Sequence, residues 1–189
     1  MFNEFTAFKR HFVDFQKTEL DDLERYCRFV LDHVPVIGFV PFSGLLSVIS
    51  GHSTSLILHR DPPYQAQLIL KQPNSIIPPH SHPNVDSIEV YVGGDMRAAI
   101  DGDFISPAAS VCVNQSHPLK IAAHRGQAVR IHPNQVHGGV IGPSGGAFLS
   151  VQKWLHGISP TFVQCDWSGP TLHAEHLSII TSGVPLSQD

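Results

Sequence analysis

Cysteine is scarce in this sequence. Cys27, Cys112 and Cys165 are odd in number and far apart, so no disulfide framework is indicated. No Cys-x-x-Cys pair occurs, which argues against a thiolate zinc site. No apolar run reaches the roughly 18 residues that a membrane-spanning helix needs. The opening Met1-Phe2-Asn3-Glu4-Phe5 carries acid early and has no long apolar core, so it does not read as a signal peptide, and the cytoplasm is the expected location. Basic runs are missing too: 12 basic against 16 acidic residues give a net charge of -4, and nucleic acid is not an expected partner. Charged residues make up only 15% of the chain, but the hydrophobic fraction of 42% is that of a globular protein.

Glycine and proline are plentiful, 15 of each among 189 residues, as short strands joined by tight turns require. Histidine is abundant at 13, and scattered. Residues 2 to 33 read as helical: Phe5, Phe8, Phe12 and Phe15 make one apolar stripe, and a break near Gln16-Lys17-Thr18 precedes a second helix. Thr18 is the expected N-cap of that second helix, which runs to about Asp32 before Pro35 stops it. From Val36 onward apolar runs shorten. Leu45 to Ile49, Ser55 to Leu58, Tyr64 to Lys71, Ser75 to His82, Ser87 to Val92, Met96 to Ile100 and Asp103 to Ile105 read as strands. Val111 to Val113, Leu119 to Ala122, Gln127 to Ile131, Gly138 to Ile141 and Ala147 to Leu155 continue the series. Gly93-Gly94 and Asp101-Gly102 read as turns. The spacing is that of an antiparallel barrel or sandwich. Residues beyond Gly157 look irregular.

The stretch Pro78-Pro79-His80-Ser81-His82-Pro83-Asn84-Val85-Asp86-Ser87-Ile88-Glu89 stands out. Alternate residues of a strand share a face, so His80 and His82 can aim two imidazoles at one point. Imidazole is the commonest protein ligand for first-row metals, and a nearby carboxylate adds a hard anionic one. About 40 residues on, Gly126 to Gly139 runs through His132-Pro133-Asn134-Gln135-Val136-His137. A tight Pro-Asn turn there can set His137 against the strand of His80 and His82.

With these two segments the chain resembles the cupin superfamily. Its first motif is His-x-His, three or four residues, Glu, six residues and Gly; His80, His82, Asp86 and Gly93 fit that spacing with Asp in place of Glu. In the second motif, Gly126, His132-Pro133-Asn134 and His137 fit, with His132 and Asn134 replacing the family's Pro and Gly. The resemblance implies an all-β double-stranded β-helix, or jelly-roll barrel, over residues 36–160, with an N-terminal helical segment at 1–35 and an irregular extension at 161–189. It also implies that His80, His82 and His137 hold a divalent transition metal: iron, manganese, nickel or zinc. Asp86 is the expected carboxylate, because it shares strand parity with Ile88, Val90 and Val92, read as facing an apolar interior. Glu89 is the alternative, with Ser87, Tyr91 and Gly93 as its parity partners.

The expected activity is that of a metal-dependent cupin enzyme on a small organic molecule, of dioxygenase type. The alternatives are a metal-dependent isomerase or lyase, and a non-catalytic ligand-binding barrel. The sequence singles out no catalytic residue. His132 is a candidate for the surroundings of the site; His173 and His176 read as surface; one parity set of Gln152, Lys153 and Trp154 is expected to face the cavity; Cys112 reads as a small buried residue. The aromatic stripe from Phe5 to Phe15 suggests a homodimer.

Overall fold

The computed structural model describes residues 12–33, 53–105 and 128–165. The expected strands at 45–49, 111–113 and 119–122, Cys112, His173 and His176 lie outside them. One α-helix and eight strands are present among the described residues: α1 (Asp22–His33), β1 (Ser53–Asp61), β2 (Tyr64–Lys71), β3 (Ser75–Ser81), β4 (Val85–Ile100), β5 (Asp103–Ile105), β6 (Ala128–Ile131), β7 (His137–Trp154) and β8 (Val163–Gln164). Every strand pairing is antiparallel.

The helix starts later than expected. Asp21 rather than Thr18 caps it: the Glu24 amide donates to Asp21 Oδ1 at 2.9 Å, and the Asp21 amide donates to Glu24 Oε2 at 2.9 Å. This reciprocal pair satisfies two amides at the helix start. Leu23, Cys27, Val30 and Leu31 recur at helical spacing and are buried. They pack on Ala66, Ile88, Val90, Leu149 and Val151 of β2, β4 and β7. Each large aliphatic side chain so buried contributes about 1.5–3 kcal/mol. Cys27, fully buried, is the small buried cysteine of the described residues, and burial pushes its thiol pKa up.

The aromatic stripe is not helical where it is described. Phe12 bridges to Val129, and the Val13 amide donates to the Ala128 carbonyl at 2.9 Å. Phe15 is buried in the layer beneath α1. The chain thus enters as an extended segment along β6, and these two aromatics are used within the molecule.

Gly93-Gly94 does not turn the chain. β4 runs through both glycines as one strand, with register shifts between Tyr91 and Gly93 and between Gly94 and Met96. The two strands expected at 138–141 and 147–155 are likewise one, β7. Its first arm, 137–141, pairs with β3 and its second, 146–153, pairs with β2, while β4 follows both arms. Two bent strands shared between two layers make the jelly-roll barrel that the resemblance implied. Asp101 and Gly102, both with positive φ, form the expected hairpin turn into β5. Gly139 is needed where β7 crosses β4: a Cβ there would lie 2.6 Å from the Arg97 carbonyl oxygen. Tyr91, Met96, Ile100, Ile141 and Phe148 close the interior with a second apolar cluster. No helix among the described residues is long and apolar enough to cross a membrane.

Candidate metal centre

His80 lies on β3 and is paired in register with His137, the first residue of β7. His82 follows β3 by one residue. The ring centroids are 4.2 Å apart for His80 and His137, 5.0 Å for His80 and His82, and 5.4 Å for His82 and His137. One nitrogen from each ring lies within 4.8 Å of the other two.

The orientation of each ring is fixed by a backbone carbonyl. His80 Nδ1 donates to the Pro78 carbonyl at 2.8 Å, His82 Nδ1 to the Thr161 carbonyl at 2.6 Å, and His137 Nδ1 to the Gln135 carbonyl at 3.0 Å. A carbonyl can only accept, so each Nδ1 carries a proton, and Nε2 is the nitrogen left to face a ligand. Histidines that ligate metals are held in this way. Burial, foremost, also lowers the pKa of His80, and lowers that of His137 to about 4, which keeps both rings neutral. Three imidazoles that each bring one nitrogen to a common cluster fit a divalent transition metal.

Local sequence explains why these rings meet. The His132-to-Gln135 turn closes through the Gln135 amide and the His132 carbonyl at 3.1 Å, with Asn134 at φ 64. The Asn134 amide donates to the His82 carbonyl at 3.0 Å, tying this turn to the His-x-His segment. Asp101 receives Gln135 Nε2 at 2.7 Å and the Val136 amide at 3.1 Å. Asn84 fastens the segment 158–161. Its Nδ2 donates to the carbonyls of Ile158 and Ser159, and its Oδ1 accepts from the Thr161 amide and hydroxyl. Thr161 in turn orients His82. Sequence reasoning gave Asn84 no role, and its only signal was an Asn directly after His-x-His-Pro. Phe162 of the same segment lies over the site, its ring 5.2 Å from His80 and 6.1 Å from His82.

Asp86 is not with the three imidazoles. Its carboxylate makes a two-pronged pair with Arg130, Nε to Oδ1 at 3.1 Å and Nη2 to Oδ2 at 2.6 Å. Arg130 also donates to Asp21 at the start of α1. The acid therefore belongs to an ionic network that ties the helix to β4 and β6. His132 faces this side as well, with a largely exposed ring 3.8 Å from Asp86. The parity expectation is inverted for a physical reason. Ile88 and Val90 face the helix layer, so the other set, Ser87, Glu89 and Tyr91, faces the cavity. The inward position falls on Ser87, five residues past His82, and not on Asp86.

That cavity has a volume of about 500 Å³. The three histidines, Ser87, Glu89, Gln152 and Trp154 are among its lining, whereas Lys153 points outward, 3.5 Å from Asp22. A chain of bonds runs along β7: Trp154 Nε1 to Gln152 Oε1 at 3.2 Å, Gln152 Nε2 to Ser150 Oγ at 3.1 Å, and Ser150 Oγ to Glu89 Oε1 at 2.9 Å. Glu89 is 8% exposed, and its Oε2 has no protein partner. Burial raises its pKa to about 7 against the hydroxyls of Ser150 and Ser87, which favour the anion.

No family model matches the chain, and no curated protein matches it. Solved structures do. A double-stranded β-helix protein from Klebsiella pneumoniae matches over 79% of this chain and 99% of its own, at 14% identity and a TM-score of 0.45. KdgF from a Halomonas species matches over 56% and 81%, at 17% identity and 0.42. An RmlC-like cupin from Shewanella frigidimarina matches over 57% and 81%, at 18% identity and 0.44. The chain's own strand pairing makes it an antiparallel jelly-roll barrel. In this barrel the bent strands β4 and β7 carry Glu89 and His137 to one cavity, and β3 brings His80.

Proposed function

We propose that this cupin is a metal-dependent enzyme acting on a small organic molecule by proton transfer, as an isomerase or lyase. One observation carries the metal: three imidazoles on the cavity wall, each with Nδ1 committed to a carbonyl, each bring one ring nitrogen within 4.8 Å of the other two. Iron, manganese, nickel or zinc suits such donors, and when bound supplies Lewis-acid polarisation of a substrate oxygen.

The choice of proton transfer rests on Glu89. A carboxyl with a pKa of about 7 is populated in both forms near neutrality, so Oε2 can take a proton from substrate and return it. Ser150 holds Oε1, which leaves Oε2 as the reacting atom. The apolar Tyr91, Met96 and Phe148 limit water around the bound molecule.

The dioxygenase reading stays as the second one, because three protein ligands leave open positions for both dioxygen and substrate. Enolisable keto and hydroxy acids, supplied to metal-loaded protein with and without air, separate the readings. Anaerobic turnover that falls roughly 100-fold or more in Glu89→Gln is the expected result. Turnover that stops without dioxygen sinks the isomerase or lyase reading. Tight binding without any turnover points instead to a ligand-binding barrel.

A further inference from the structure

The inward face of β2 presents Gln65, Gln67, Ile69 and Lys71 to the cavity. Lys71 is the unusual member. It is half-buried on the wall, and among the described residues its ammonium pairs with no carboxylate. The other lysines and arginines of the ion-pair network, Lys17, Arg25, Arg130 and Lys153, each have an acid within 4.0 Å. Lys71 is also near enough to His80 to act on it electrostatically, so it shares the field of the three-histidine site.

The rest of the wall has little negative charge to answer it. Glu89 is the one acid among the described lining residues. Arg60, also on the lining, is engaged at the other end of β2, where its Nε donates to Gln65 Oε1 at 2.6 Å and its guanidinium lies 5.6 Å from the Trp154 ring centre. Gln65 and Lys71 are six positions apart on the strand, which is roughly 20 Å of extended chain. Among the described lining residues the charge around Lys71 is therefore positive, although the chain as a whole carries a net charge of -4. A half-desolvated ammonium with no carboxylate among the described residues is a site for an anion.

We infer that the barrel takes a small organic anion whose carboxylate is held by Lys71, which sets the rest of the molecule toward His80, His82 and His137. This deepens the proposed function by naming the substrate class, and it rests on that reading only for where the far end of the ligand lies. The carboxylate contact needs no metal. It also leaves Glu89 free to exchange a proton rather than to pair with the lysine.

The test uses metal-free full-length protein and a panel of two- to six-carbon mono- and dicarboxylates, each with its neutral amide as control. Binding is read from thermal stabilisation, which grows with ligand concentration over Kd. The expected result is stabilisation by at least one carboxylate and not by its amide. Lys71→Met should weaken that binding at least tenfold, and Lys71→Arg should restore most of it. Metal content of Lys71→Met, measured separately after metal loading, should equal that of wild type. Failure of the whole panel, equal binding of the amides, or unchanged affinity in Lys71→Met overturns the inference. Wild-type protein that binds carboxylates through Lys71 but takes up no metal instead overturns the metal reading alone.

Discussion

Glu89→Gln offers a test that needs neither metal nor substrate. The folded chain holds the Glu89 carboxyl at a pKa of about 7, against 4.5 for an ordinary glutamate. Below pH 4.5 the group is protonated in both the folded and the unfolded chain, and burial carries no charge penalty. Between pH 4.5 and about 7 the unfolded chain releases this proton while the folded chain keeps it, so stability falls as pH rises. Above about 7 the fall levels off, at a total of about 3 kcal/mol. Glutamine keeps a carbonyl oxygen for Ser150 and cannot ionise. Urea unfolding of metal-free wild type and Glu89→Gln across this window measures the difference, and the histidines common to both cancel. The variant should gain on wild type by about 3 kcal/mol from pH 4.5 to about pH 8. A difference between the two proteins that stays constant with pH refutes the raised pKa, and with it the proton-transfer role.

Two further substitutions separate holding the fold from holding the site. Asp86→Asn should leave metal content unchanged but cost about 1–3 kcal/mol in urea unfolding, because Arg130 loses the charge it grips; lost metal with intact stability would place Asp86 at the centre after all. Asn84→Ala frees the segment that carries the Thr161 carbonyl, so metal affinity should fall about 10-fold to 100-fold by competition with a chelator, with His82 still present. Unchanged affinity would show that this carbonyl does not orient the ring.

Much of this was readable from the chain, and the misses have identifiable causes. His-x-His on a strand announces its own geometry, since a period of two puts both rings on one face. The Pro133-Asn134 turn likewise announced where His137 would be delivered. Which carboxylate faces inward was not readable from parity alone. Ile88 and Val90 are apolar for the sake of α1, and nothing in a strand's alternation says whether its apolar face meets a helix or a cavity. Gly93-Gly94 looks like a turn, yet it occurs where β4 passes between two layers, and pairing with the whole of β7 carries the strand through. Phe12 and Phe15 show helical spacing, but Phe12 is bridged to β6 and Phe15 stands in the turn that follows, because pairing of this segment with β6 outweighs local preference.

The most direct test is elemental analysis of anaerobically purified wild type, His82→Ala and His137→Ala, alongside circular dichroism to verify that each barrel is folded. Wild type should carry close to one transition-metal ion per chain, and either folded variant should lose at least tenfold. Equal metal in all three proteins, or none in wild type after loading with iron, manganese, nickel or zinc, would contradict a metal centre at His80, His82 and His137.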